Sequence, residues 1–142
     1  MADVGRVLVA FDGTPLAERA LEHALGTYPT AEILVLHVID YVEESYGAAA
    51  LVGRETLRER ARERSRTLLA DAEATAAERG HEVTTASRVG KPAREIVALA
   101  AERDVDVVVV GSHGRSLVAQ AFLGSVAERV LRRAPTPVTV VR

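Results

Sequence analysis

Cysteine is absent from the chain, and so are a dominant sign of charge and any long apolar run. Without cysteine there is no disulfide framework, no Cys-ligated zinc or iron–sulfur centre and no thiol nucleophile, which suits a reducing compartment. The 18 Lys and Arg residues face 20 Asp and Glu, a net charge of −2. With the signs interspersed there is no basic field for nucleic acid, although a local patch can still hold an anion such as phosphate. Met1 to Arg6 is not a basic start followed by an apolar run, and later apolar stretches are only strand-length, so neither a leader nor a membrane span is expected. A cytoplasmic protein with no nucleic-acid or membrane partner is the expectation. What is present, 142 residues with 48% hydrophobic and 27% charged, suits one globular domain over residues 1–142, able to bury roughly two-thirds of the unfolded chain's surface.

The apolar residues come in short continuous runs separated by helical periods. Val7 to Phe11, Ile33 to Val38 and Val105 to Val110 are apolar but for His37 and Asp106, as strands covered on both faces require. Between the first two, Thr14 is placed to cap a helix with Pro15 in its first position, Leu16, Ala20, Leu21, Ala24 and Leu25 on one face, and Gly26 ending it. Arg54 to Arg79 carries Leu57, Ala61, Leu68, Ala72 and Ala76 at helical spacing among alternating Arg and Glu, so a long helix with a solvated face is expected, ended by Gly80. Val83 to Val89 alternates as an edge strand does. Gly90-Lys91-Pro92 opens a further helix through Ile96, Leu99 and Ala100; Gly124-Ser125 opens another through Val126, Val130 and Leu131; Pro137 to Val141 is a last strand. The stretch Asp40 to Gly53 has no clear period and reads as a connection or the start of the next helix. Alternating strands and helices imply right-handed crossovers and an open five-stranded parallel sheet in three layers, a Rossmann-like α/β fold.

In such a sheet ligands settle beyond the carboxyl ends of the strands, at the reversal of strand order. Three strand ends carry candidates: Asp12, Val38 and the run Gly111-Ser112-His113-Gly114. They converge if the first strand lies beside Val105 to Val110. Gly111 and Gly114 would let backbone N–H groups approach a triphosphate, Gly124-Ser125 would present a helix N-terminus to it, and Arg115 and His113 would add charge-assisted bonds. Each feature alone is common: a strand-ending glycine is often a turn, Ser125 an N-cap, Asp12 a cap for the first helix, Val38 plain core. His23, His37 and His81 are read as structural.

Together, Gly111, Gly114, Gly124 and Ser125 spell G-x2-G-x9-G-[S/T], and with it the chain resembles the ATP-binding universal stress proteins. The likeness extends to Val7 through Thr14, Leu36-His37-Val38, Gly90-Lys91-Pro92-Ala93 with Ile96, and Pro135-Thr136-Pro137-Val138. It implies a single universal stress protein domain, similar to the adenine nucleotide alpha hydrolases, with strand order 3-2-1-4-5. It further implies that Asp12 accepts from the ribose, and that the backbone at Ala10 and Val38 meets the adenine edge. Gly111, Ser112, His113, Gly114, Arg115, Gly124, Ser125 and Val126 would contact ribose and triphosphate, with Mg2+ accompanying ATP. A homodimer through Pro137 to Val141 is implied as well, and an apolar edge strand supplies the physical reason.

Phe11-Asp12-Gly13-Thr14 looks close to the Asp-x-Asp-Gly-Thr of haloacid-dehalogenase phosphatases, but Ala10 stands where their nucleophile would be. Neither G-x-G-x-x-G nor a P-loop is present. A nucleotide-responsive regulatory module, a slow ATP hydrolase and a dimeric partner-docking domain remain open. No catalytic residue and no protein metal ligand is expected.

Overall fold

The computed structural model describes residues 3–41, 53–113 and 123–142. Among them five strands and four helices alternate: β1 (Arg6–Ala10), α1 (Pro15–Thr27), β2 (Glu32–Ile39), α2 (Arg54–Glu78), β3 (Thr84–Val89), α3 (Pro92–Glu102), β4 (Val107–Gly111), α4 (Ser125–Arg133) and β5 (Val138–Val141). The strands form one parallel sheet in the order β3-β2-β1-β4-β5. The expected neighbours do meet, with Val7, Leu8 and Val9 registered against Val107, Val108 and Val109.

The aliphatic runs are continuous because each strand feeds two cores. Val7, Val9, Ile33, Val35, Val107 and Val109 pack with Leu21, Leu25 and Leu69 under α1 and α2. Leu8, Leu34, Leu36, Val108 and Val110 point the other way and pack with Ile96, Leu99 and Val130 under α3 and α4. That division follows from the two-residue period of a strand.

Local chemistry sets the helix ends. Thr14 caps α1 with backbone in the extended region, its Oγ1 accepting from Ala17 N–H at 3.4 Å, and Pro15 follows. Gly26 does not end α1: the helix runs on to Thr27, and Tyr28 N–H closes it on the Ala24 carbonyl at 2.9 Å. The buried Ala24 and Leu25 hold that last turn in place, outweighing glycine's weak helix propensity. Gly80 does end α2, with φ of 71°. Its N–H donates to Ala77 and that of His81 to Ala76, each at 2.9 Å, the pairing a left-handed residue makes possible after a helix.

The inner face of α2 is Ala61, Ser65, Leu69, Ala72 and Ala76, with Leu68 only half-buried at its edge. Leu68 instead lies over Gly13, where a Cβ would come within 2.4 Å of its Cδ2 and φ is +79°. On α4 the core residues are Ala127 and Val130, while Leu131 is exposed. The β3 strand is an edge, as its alternation indicates, and β5 is the other. Residues 42–52, most of the unassigned connection, lie outside the described residues.

Candidate functional site

Because β1 leads out to β2 on one side while β4 pairs on the other, the strand order reverses between β1 and β4. The carboxyl ends of β2, β1 and β4 open there into one cleft of about 190 Å³. Ala10, Asp12, Val38, Gly111, Ser112, His113, Gly124, Ser125 and Val126 all line it. The fold therefore brings together every candidate it describes. Gly114 and Arg115 fall outside the described residues.

One wall is the start of α4. Gly124 is its N-cap and supplies no side-chain cap. Gly124 N–H donates to the Ser112 carbonyl at 2.6 Å, and the first intrahelical bond is Glu128 N–H to Gly124 O at 3.0 Å. The N–H groups of Ser125, Val126 and Ala127 therefore have no partner within the helix, and these three residues line the cleft. Uncapped donors at the positive end of a helix dipole suit an anion. Gly124 also has to be small: a Cβ would stand 3.0 Å from the Ser112 carbonyl oxygen and 3.3 Å from the His113 Cα.

At the end of β4, Ser112 is buried and its Oγ lies 3.2 Å from the His113 Nδ1. The His113 Nε2 is shielded from solvent and has no hydrogen-bond partner among the described residues. A buried polar atom left unmatched costs free energy until something polar meets it. Gly111 has a packing reason to be bare as well. A Cβ there would lie 3.0 Å from the Leu16 Cβ and 3.2 Å from its carbonyl carbon, so its bareness lets α1 seat against β4.

Asp12 supports the α1 cap without being the cap itself. Its Oδ1 accepts from Thr14 N–H at 3.1 Å and Thr14 Oγ1 at 2.5 Å, which fixes the carboxylate at the lip of the cleft and leaves its Oδ2 without a bond among the described residues. Val38 is half-buried and belongs to the α3 side of the core.

Other lining residues were not singled out from sequence. Asp40 lies just past β2 and pairs with Lys91 Nζ at 3.3 Å; two residues after Val38, it shares that residue's side of an extended chain, a signal available in the alternation. Pro92 and Ile96 bring the start of α3 to the same end. His37 has a structural bond, Nδ1 to Ser65 Oγ at 2.7 Å, with Ser65 Oγ 3.0 Å from Ser87 Oγ; it also borders the cleft. Among the described residues no three His, Asp or Glu side chains are placed to hold a metal ion, and no helix is long and apolar enough to cross a membrane.

The family model described as "Universal stress protein family" matches residues 4–142. The universal stress protein MJ0531 of Methanocaldococcus jannaschii is 32% identical over 139 residues, covering 96% of this chain and 81% of that relative. The solved structure of MJ0577, from the same organism, superposes with a TM-score of 0.85 at 29% identity, covering 99% of this chain and 96% of that one. A universal stress protein solved in complex with cAMP superposes with a TM-score of 0.62 at 26% identity, covering 99% and 98%.

Proposed function

Since the chain belongs to the universal stress protein family, we propose that it binds ATP in the cleft above β2, β1 and β4 and acts in the cytoplasm as a nucleotide-responsive regulatory module of the stress response. The carrying observation is convergence: residues from three separate strand ends and one helix start, far apart in sequence, line a single cleft. The relative in complex with cAMP has an adenine nucleotide on this fold.

The residues present fit such a ligand. The open N–H groups at Ser125, Val126 and Ala127 suit phosphate oxygens, and the unmatched His113 Nε2 is available to one more polar atom. Asp12, fixed by Thr14, retains an oxygen for ribose hydroxyls. The apolar Leu36, Val38, Pro92 and Ile96 suit a flat base. Gly111 and Ser112 lie between these ends, at the carboxyl end of β4, and Ala10 ends β1 beside Leu36. Gly114 and Arg115 complete the set in this reading. A magnesium ion would come held by phosphate oxygens and water, as Mg2+ commonly is.

Binding stands ahead of turnover in this reading. Fast phosphoryl transfer needs a positioned water, a base and charge stabilisation, whereas Asp12 is committed to its turn and to ribose. The reading includes a homodimer formed through β5, whose outer edge has no neighbouring strand among the described residues.

The test is to denature freshly purified protein, identify the nucleotide released, and titrate ATP into the stripped protein beside Gly124→Val. The added side chain would push Ser112 and His113 away from the α4 start. ATP binding at micromolar affinity by the wild type, lost at least tenfold in a folded variant, is the expected result. No binding of adenine nucleotides at millimolar concentration by the wild type would remove the reading.

A further inference from the structure

We infer that Asp40 recognises the exocyclic amine of the adenine base, with Lys91 as the positioning residue that holds its carboxylate; the inference rests on the ATP reading above. Asp40 lines the cleft at the end where Val38, Pro92 and Ile96 supply apolar walls. Its side chain retains only 11% exposure and pairs with Lys91 Nζ at 3.3 Å. The pair is anchored through the backbone on both sides. Lys91 is the N-cap of α3, and the preceding Gly90 donates its N–H to the Ile39 carbonyl at 3.0 Å. The turn carrying the ammonium is therefore tied to the end of the strand that carries the carboxylate.

The chemistry of the base asks for such a group. An adenine amine has two N–H donors. Where the backbone at Val38 takes one, the other is stripped of water among apolar walls and costs free energy unless an acceptor meets it. A carboxylate has about four lone-pair sites, so it can accept from several donors at once, Lys91 among them. Lys91 is not among the cleft-lining residues; its ion pair holds the carboxylate in place from outside the cleft. A hydrogen bond to a charged acceptor accounts for about a tenfold to hundredfold difference in affinity.

The experiment compares ATP with purine riboside triphosphate, identical but for the missing 6-amino group, by calorimetric titration into stripped wild type, Asp40→Ala and Lys91→Met. The wild type should prefer ATP at least tenfold, Asp40→Ala should bind the two within about twofold, and Lys91→Met should fall between. Should Asp40→Ala not fold, Asp40→Asn keeps the shape with a neutral, weaker acceptor and should narrow the preference. Equal binding of both ligands by the wild type overturns the inference, as does an Asp40 variant that weakens both equally and leaves the preference intact. Failure of the wild type to bind either one removes the ATP reading itself, and the inference with it.

Discussion

Asp104 carries a conformation that its side chain disfavours. At the end of α3 its φ is 49°, the positive value that follows a helix when the next N–H turns back to a carbonyl, here Val105 to Ala100 at 3.1 Å. Left-handed backbone costs a residue with a Cβ roughly 1–2 kcal/mol, part of which glycine recovers and part of which its freer unfolded chain gives back. Asp104→Gly should therefore stabilise the fold by roughly 0.5–1 kcal/mol, read as a rise of about 2–4 °C in Tm. A fall in Tm would show that the aspartate contributes something the backbone does not. Glu18 is a second residue under tension. Burial, then the neighbouring Glu22 and Asp71 carboxylates, raise its pKa above the ordinary carboxylate value. The folded state thus holds the proton more tightly than the unfolded chain, and the stability this contributes is present at low pH and lost as pH rises through the raised value. Glu18→Gln stays neutral throughout, so its Tm should exceed that of the wild type near neutrality and the gap should close below the carboxylate range. A gap independent of pH would exclude the charge as its cause.

At the scale of the elements, α1 depends on a short polar chain at its start. Thr14 caps the helix, and Asp12 holds Thr14. Thr14→Ala should cost about 0.5–2 kcal/mol in urea unfolding, and because Asp12 then loses the hydroxyl bond and keeps only the one from the backbone N–H, ATP affinity should fall with it; unchanged affinity would separate the cap from the site. Most elements are legible in the sequence for a physical reason. Burial on both faces leaves strands such as Val7 to Phe11 unbroken by polar residues, and Thr14-Pro15 and Gly80 mark helix ends through local backbone chemistry alone. Errors arise where tertiary packing chooses between neighbours. Leu68 and Leu69 are equally apolar, and only the sheet decides that Leu69 faces the core while Leu68 covers Gly13. The same limit governs the site. Asp12, Val38 and the Gly111 run are readable as strand ends, but the packing of Gly111 against Leu16 and the arrival of Pro92, Ile96 and Asp40 at the cleft depend on which helix crosses which strand.

At the scale of the whole molecule, the β5 edge bears on how the proposed module assembles. Val108 N–H donates to the Pro137 carbonyl at 3.0 Å and Ser112 N–H to the Val141 carbonyl at 2.7 Å. In a parallel ladder the N–H and C=O of one residue point the same way, so Thr139 faces β4 with Pro137 and Val141, while the backbone groups of Val138 and Val140 point outward. Side chains along β5 are half-buried, so the exposed feature is a row of outward donors and acceptors with no strand partner among the described residues. Pairing with β5 of a second copy about a two-fold axis would satisfy that row on both chains and join two sheets into one. Proline at position 140 removes an outward N–H that β4 does not use, a place where an edge strand tolerates it. Sedimentation at tens of micromolar should show a dimer for the wild type and a monomer for Val140→Pro, with far-UV circular dichroism unchanged. A wild type that sediments as a monomer removes the edge-pairing reading, whereas a Val140→Pro variant that remains dimeric would move the interface to another face and leave β5 as an edge sheltered within its own chain.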